Sequence, residues 1–187
     1  MENLNGLKVA ILVANGFEQV ELVKPRHALE EAGAETFLIS PEKDALQGFN
    51  HLEKGDRFTV DIPLNEARAD EFDALLLPGG VANPDRLRLF PEAVSLVSDM
   101  HRQHKPIAAI CHGPWLLIDA DVVKGHQVTS WPSIKADLIN AGAHWVDKAV
   151  VCDDLILTSR KPDDIPQFNE AMLKLFHKRQ SHQEERS

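Results

Sequence analysis

One cysteine of this chain has the neighbours of a catalytic nucleophile. Cys111 follows the apolar run 106–110 and is followed by His112, Gly113 and Pro114. Small residues two positions before and after the cysteine fit a sharp turn from a strand into a helix. Such a turn places the sulfur at a helix N-terminus, where unpaired N–H groups lower a thiol pKa. The pattern therefore predicts a reactive thiol rather than the inert buried cysteine that composition alone would favour.

A glutamate after the first apolar segment is the acid that we expect beside this thiol. Glu18 is either a helix-starting acid stabilised by the helix dipole or a hydrogen-bond partner of Cys111. As a carboxylate it would raise the thiol pKa, whereas in its protonated form it would donate to the thiolate and lower that pKa. Glu21, one helical turn further on, is the competing acid. Its distance from the strand end predicts that it points elsewhere.

A pair of glycines follows the apolar run 74–77. Gly79 and Gly80 either form a turn that ends a buried strand or leave backbone N–H groups bare for an oxyanion. The surrounding residues match neither GxGxxG nor a phosphate-binding loop, so we expect no nucleotide and no other cofactor. We predict Gly79, Gly80 and Gly113 as the glycines of an oxyanion or binding site.

A histidine next to the nucleophile is the expected base, although it needs a group to orient it. Asp85 is able either to hold the His112 imidazole or to cap the helix that begins beside it. His101 and His104 share a predicted helix face but lack cysteine or carboxylate neighbours, so we predict no metal site. Cys152 lies on a predicted strand without a glycine turn, and we expect it to be inert.

Composition limits the classes of protein to consider. With 187 residues, 43% hydrophobic and 26% charged, the chain can form one sizeable core, which excludes disorder, collagen-like repeats and disulfide-dense miniproteins. A formal charge of −9 disfavours a nucleic-acid partner. The longest apolar run is broken at residues 112–114, so no membrane span is predicted, and the N-terminus does not resemble a secretory signal. We expect one domain over residues 1–187, a cytoplasmic location and reduced thiols.

Alternating apolar and amphipathic segments predict an α/β sandwich, with a mainly parallel sheet and helices on both faces. The central strands are predicted at 7–14, 36–40, 74–77 and 107–110, and helices at 19–31 and 91–103. Later strands are predicted at 124–130, 149–152 and 155–159, helices at 133–140 and 166–177, a hairpin or loop at 47–63, and a mobile tail at 181–187. In the first helix, near-helical spacing is found for Val20, Val23, His27 and either Leu29 or Glu30. Ligands of such sheets bind beyond the carboxyl ends of the strands, where Glu18, Gly79–Gly80 and Cys111 would meet.

The segment AAICHGP, residues 108–114, closely resembles the active-site turn of the PfpI-type intracellular protease family. That family belongs to the superfamily of the Parkinson's-associated oxidative-stress protein. Three further segments resemble family segments in the same order, namely residues 17–22, 72–80 and 138–143. The resemblance implies a flavodoxin-like sandwich of the class I glutamine amidotransferase type and a reactive Cys111 hydrogen-bonded to Glu18. It also implies an oxyanion site at the backbone of Gly80 and His112.

In the peptidase of that family, the triad takes a glutamate from a neighbouring subunit. The matching position here is Asp85, which is one methylene shorter, and Asn83 resembles an extra residue in the loop. The resemblance thus implies self-association into a homodimer or a larger homo-oligomer. It transfers the reactive thiol more directly than it transfers peptidase activity.

Three functions remain open from the sequence. The first is a stress-response cysteine hydrolase that acts on peptides, glycated groups or reactive aldehydes. The second is a redox-responsive protein whose Cys111 is oxidised under oxidative stress, with little turnover. The third, a class I glutamine amidotransferase, needs a late histidine beside an acid, and His177 lacks such a partner in sequence.

Overall fold

The computed structural model describes residues 2–184 and centres on a seven-stranded sheet. Its strands are β1 (Lys8–Leu12), β3 (Glu35–Ser40), β6 (Ile62–Pro63), β7 (Ala74–Leu77), β8 (Ile107–Ile110), β11 (Val150–Asp153) and β12 (Ile156–Ser159). They lie in the order β11-β12-β8-β7-β1-β3-β6, and only β11 runs antiparallel to its neighbour. The predicted parallel α/β sandwich is confirmed. The four central strands begin and end within two residues of the predicted bounds.

Each central strand is buried on both faces, because its alternate side chains enter two different cores. Ala10 and Leu12 of β1 pack on one side, together with helix α3 (Pro91–Arg102). Val9 and Ile11 pack on the other side, together with helices α1 (Gln19–Glu31) and α6 (Ile165–Glu184). Two-sided burial explains why these strands are almost wholly apolar.

Two small sheets flank the central one. The strands β2 (Phe17–Glu18), β4 (Ala45–Asn50) and β5 (Glu53–Thr59) form a three-stranded sheet in which β4 and β5 make a hairpin. The predicted hairpin is therefore present, and its strand β4 pairs with β2, which lies just before α1. Strands β9 (Gln127–Val128) and β10 (His144–Trp145) pair only with each other, so residues 124–130 do not extend the central sheet as expected.

The remaining helices are short, apart from the last one. They are α2 (Ala82–Leu87), α4 (Trp115–Asp119) and α5 (Lys135–Asn140), and the segment Pro132–Ile134 before α5 is a 3-10 turn. Helix α6 continues to Glu184, seven residues beyond the predicted end, so residues 181–184 are helical and not a separate tail. Residues 185–187 of the predicted tail lie outside the described part of the chain.

The first helix buries a different face from the one that its spacing suggested. Its buried residues are Glu21, Leu22, Pro25 and Leu29, whereas Val23 and His27 are exposed. Positions 21, 25 and 29 are four residues apart, so they form one stripe along the helix. This stripe faces the core under the sheet and carries a carboxyl group with it.

Candidate active site

The loops after three adjacent parallel strands meet at one edge of the sheet. Strands β8, β7 and β1 are neighbours, and they are followed by Cys111, by Gly79–Gly80 and by the loop that leads into α1. Carboxyl ends of parallel strands share one edge, which is where open α/β sheets bind ligands. The sheet order therefore gathers three segments that are remote in sequence.

Cys111 occupies a strained turn, as expected for a nucleophile elbow. Its φ of 63° lies in the left-handed region, which a side chain other than glycine seldom adopts. Two hydrogen bonds hold this conformation: its N–H donates to the Ser159 carbonyl at 3.0 Å, and its carbonyl accepts from Trp131 N–H at 2.9 Å. The residue is 7% exposed and lines a cleft of about 490 Å³. The turn thus presents a mostly buried sulfur to an open cleft.

The acid at the sulfur is Glu21, which corrects the assignment of Glu18. Glu21 is fully buried, and its carboxyl group faces the Cys111 thiol and the backbone of Gly79 and Gly80. Within residues 2–184, neither of its oxygens has a partner at strict hydrogen-bond geometry. Glu18 lines the same cleft, but its carboxylate accepts the N–H of His51 at 3.2–3.3 Å. The exchange of roles follows from α1, whose buried stripe begins at position 21.

Burial keeps both the Cys111 thiol and the Glu21 carboxyl mostly protonated at neutral pH. Burial, followed by the negative charge of Glu18, raises the pKa of Glu21 to about 8. Burial and the Glu21 carboxylate also raise the pKa of the Cys111 thiol, whereas the N–H groups of Gly80 and His112 lower it. Desolvation outweighs these N–H groups, so the thiol pKa is raised and not lowered as the sequence predicted. A protonated Glu21 removes the repulsion and can donate to a thiolate.

The three glycines predicted as oxyanion or binding residues have separate positions. Gly80 lines the cleft with a φ of 76°, and its N–H points at the Cys111 sulfur, as does the N–H of His112. Gly79 lies behind the sulfur, where a Cβ would come within 2.6 Å of Glu21 Oε1 and of the Cys111 Cβ. Gly113 donates its N–H to the Ile110 carbonyl at 2.9 Å. That N–H is used inside the turn, so Gly113 supplies space rather than an oxyanion donor.

The imidazole of His112 lies beside the thiol. Its Nδ1 is 3.3 Å from the Cys111 sulfur and its Nε2 is 3.3 Å from the Ser133 hydroxyl. The ring packs between Trp115 and Trp131, at centroid distances of 5.1 and 6.2 Å. Burial lowers the pKa of His112, so the ring is neutral at neutral pH and is able to accept a proton.

Asp85 is not part of this arrangement within the described chain. It is an exposed residue of α2, which begins at Ala82 and not at Pro84, and it does not line the cleft. Its neighbour Asn83 is fully buried and holds the glycine loop. The Asn83 amide donates to the carbonyls of Pro78 and Gly79 at 3.1 and 3.0 Å, and its oxygen accepts Ala14 N–H at 2.6 Å.

Comparison with known proteins decides the family. The model of the DJ-1/PfpI family matches residues 7–175. This chain belongs to the DJ-1/PfpI family. It is 44% identical to a deglycase of Pyrococcus horikoshii and to the deglycase PfpI of Pyrococcus furiosus, over 91% of this chain and 99% of each relative. An uncharacterized protein of Staphylococcus aureus is 43% identical over 89% of this chain and 96% of its own length.

Solved structures agree with this DJ-1/PfpI assignment. A two-domain protein of Anabaena variabilis, with DJ-1/ThiJ/PfpI-like and ferritin-like domains, superposes with a TM-score of 0.84 and 37% identity over 90% of this chain. This chain spans 47% of that protein. Drosophila melanogaster DJ-1beta superposes with a TM-score of 0.81 at 24% identity, over 94% of this chain and 96% of its own, and shows the shared fold. The expected flavodoxin-like sandwich and the expected family are both confirmed.

Sequence reasoning missed several residues of this DJ-1/PfpI site. The stripe of positions 21, 25 and 29 was the signal for Glu21. No pattern indicated that Asn83 would join the nearby Pro78 and Gly79 carbonyls to the distant Ala14 N–H. Trp131 reaches the cleft from the loop before α5, and His51 reaches it from the tip of the hairpin.

Cys152 is exposed on β11, and both described cysteines are free. No helix among residues 2–184 has the length and hydropathy to span a membrane.

Proposed function

We propose that this protein is a cysteine-dependent enzyme of carbonyl compounds, of the deglycase or glyoxalase type. The observation that carries the proposal is the Cys111–Glu21 pair, which faces two backbone N–H groups at the base of a cleft. A nucleophile with an adjacent proton store and oxyanion donors is the machinery of addition to a carbonyl. The names of the relatives at 44% identity, deglycases, support the same class of reaction.

Once the thiol proton has passed to solvent, the first step is addition of the Cys111 thiolate to the aldehyde carbon of an α-oxoaldehyde. A C–S bond forms, the carbonyl π pair moves to oxygen, and the N–H groups of Gly80 and His112 stabilise that oxyanion until it takes the proton of Glu21. With an amine adduct of the aldehyde, the same attack breaks the C–N bond, and the amine leaves with a proton. Either route gives a hemithioacetal on Cys111.

The second step moves a hydrogen between the two substrate carbons. The Glu21 carboxylate takes the proton from the former aldehyde carbon, and the neighbouring carbon is protonated in turn, while neutral His112 transfers the proton between the two oxygens. Oxidation of one carbon balances reduction of the other, so no external oxidant is required. Water then hydrolyses the resulting thioester, releases a 2-hydroxy acid and restores the thiol.

Peptide hydrolysis has less support from this site. A peptidase triad needs a carboxylate on the imidazole, and among the described residues His112 contacts the Ser133 hydroxyl instead. Completing the triad would require Asp85 from a second subunit, as the family resemblance implies. Self-association and a role for Asp85 therefore stay proposals. A strictly monomeric protein in sedimentation, with full peptidase activity, would remove Asp85 from the mechanism.

A redox-responsive role is the second candidate, and the access of the cleft to Cys111 favours it. Thiolate attack on a peroxide breaks the O–O bond, gives a sulfenic acid and releases water, and a second peroxide gives a sulfinic acid. The N–H groups of Gly80 and His112 would stabilise the added oxygens. In a reducing cytoplasm, where we expect this protein, such oxidation would report oxidative stress.

A paired assay separates these functions. Methylglyoxal consumption, release of amine from a glycated amino acid and cleavage of a peptide are measured on wild type and on Cys111→Ser, with metal and reductant controlled. The proposal expects aldehyde or adduct turnover that is lost in Cys111→Ser, and little peptide cleavage. Negligible turnover of all three, with graded modification of Cys111 by peroxide, would instead favour the redox role.

A further inference from the structure

The cleft that contains the thiol has an apolar wall that is open to solvent. Leu52 is 96% exposed, Val81 56% and Trp131 39%, and all three line the cleft. They make up half of the large apolar side chains that the described residues leave exposed. Apolar surface concentrated at one site is a sign of binding, because burying it releases ordered water.

The charges of the cleft favour an uncharged ligand. Among the described residues that line it, none is a lysine or an arginine, and two are the acids Glu18 and Glu21. The remaining base at the rim, His51, is 86% exposed and lies 3.8 Å from the Glu18 carboxylate. An anionic group would therefore enter without a counter-charge and against a carboxylate.

Two residues of this wall, Trp131 and Leu52, lie on segments whose position relative to the nucleophile is fixed by hydrogen bonds. Trp131 donates its N–H to the Cys111 carbonyl and stacks on His112. The hairpin that carries Leu52 is held by Glu18, which accepts His51 N–H, and by Gln19, which accepts Asp56 N–H at 2.7 Å. A substituent attached to a carbon that bonds to Cys111 would meet this wall in a defined orientation.

We propose that Trp131, Leu52 and Val81 form a subsite for the non-reacting substituent, and that the enzyme selects carbonyl compounds whose substituent is bulky, apolar or aromatic, and uncharged. The proposal rests on the proposed function, because it names the substrate class of the same site. It predicts a preference of phenylglyoxal over methylglyoxal of roughly tenfold or more in kcat/KM, since apolar contacts discriminate by about that factor.

Alkylation of the thiol tests the subsite without requiring turnover. In a Cys152→Ser background, the rates of Cys111 modification by N-phenylmaleimide and N-methylmaleimide are measured by mass spectrometry and divided by the rates of a small free thiol. We expect the phenyl reagent to be favoured by roughly tenfold, and iodoacetate to be disfavoured against iodoacetamide. Trp131→Ala and Leu52→Ala should each reduce the phenyl preference. Leu89→Ala should keep it, because Leu89 is 78% exposed but lies outside the cleft.

Turnover of the two glyoxals distinguishes failure of the subsite from failure of the proposed function. Trp131→Ala and Leu52→Ala should lower the ratio of kcat/KM for phenylglyoxal to that for methylglyoxal, whereas Leu89→Ala, outside the cleft, should leave both values unchanged. Leu52 is almost wholly exposed, so Leu52→Ala tests the same point without a threat to folding. If the wild-type protein turns over both glyoxals equally and its phenylmaleimide preference equals that of a free thiol, the subsite is wrong and the proposed enzyme function stands. If the wild-type protein turns over neither glyoxal but keeps the phenyl preference, the proposed function is wrong and the subsite stands.

Discussion

Cys111 and Cys152 are two free thiols of the same sheet with very different surroundings. Cys111 ends a central strand in a left-handed turn, beside a buried carboxyl and two N–H groups. Cys152 lies exposed on the antiparallel strand β11, where its sulfur is 3.8 Å from the Asp154 carbonyl. Partial burial of the sulfur and the charge of Asp153 raise the pKa of Cys152, with only Lys178 opposing them. The difference teaches that the two thiols are distinguished by the groups that converge on each sulfur and not by exposure alone.

The largest effect expected from this comparison is the difference between replacing Cys111 and replacing Cys152 by serine. Cys111→Ser should lower kcat/KM for an α-oxoaldehyde by roughly 10³-fold or more, because the nucleophile is lost. Cys152→Ser should stay within about twofold of wild type. Steady-state kinetics on the two single variants measure both changes. A loss in Cys152→Ser equal to that in Cys111→Ser would contradict the contrast.

The buried carboxyl beside Cys111 makes the stability of the fold depend on pH. The folded chain keeps the Glu21 proton up to about pH 8, whereas the unfolded chain loses it near 4.5. The folded state thus binds more protons across this window, so this residue's contribution to the free energy of unfolding falls as pH rises through it. At 1.36 kcal/mol per pKa unit, the free energy of unfolding of Glu21→Gln should rise relative to that of wild type by roughly 5 kcal/mol between pH 4.5 and pH 8.

Urea unfolding of wild type and Glu21→Gln at several pH values measures this gain. Glu53→Gln serves as the control, because Glu53 is an exposed residue of the hairpin. Parallel curves for wild type and Glu21→Gln would mean that Glu21 ionises normally in the fold.

Close packing around Gly80, the glycine that lines the cleft, is the next feature to test. A Cβ at Gly80 would come within 2.6 Å of the Gly16 carbonyl oxygen and 2.7 Å of the Glu18 nitrogen, whereas one at Gly125 would meet nothing within 4 Å. Both glycines have a positive φ, 76° and 80°, so the two alanine variants share the conformational strain. Gly80→Ala should destabilise the fold by about 1–3 kcal/mol more than Gly125→Ala, through overpacking. Thermal or urea unfolding gives the difference, and equal losses would refute the close contact.

The smallest effect on stability is expected at Glu18, the acid that the sequence analysis placed beside the thiol. Glu18→Gln keeps an oxygen for His51 N–H, so its cost should stay near or below 1 kcal/mol. Removing its charge lowers the pKa of Glu21, so the pH profile of Cys111 alkylation should move to lower pH with little change in maximal rate. A loss of alkylation as large as in Glu21→Ala would restore Glu18 as the partner of the sulfur.

Sequence patterns predicted the parts of this molecule that depend on neighbours along the chain. Residues 107–110 are apolar because their strand is buried on both faces, and the small residues around Cys111 mark the turn that follows. The error at Glu18 arose because the distance of Glu21 from the strand end predicted that it points elsewhere. Only packing under the sheet decided that the stripe of Glu21, Pro25 and Leu29 is buried.

The sequence by itself determined the α/β class, the central strands, the position of the strained turn and the family, because hydrophobic period and local turn chemistry are written in consecutive residues. The tertiary structure alone decided which carboxyl meets the thiol, which N–H groups remain free and which apolar side chains line the cleft. Those features depend on distances between segments that only the order of the strands brings together. They also depend on burial, which sets the pKa of Glu21 and cannot be read from its neighbours in the chain.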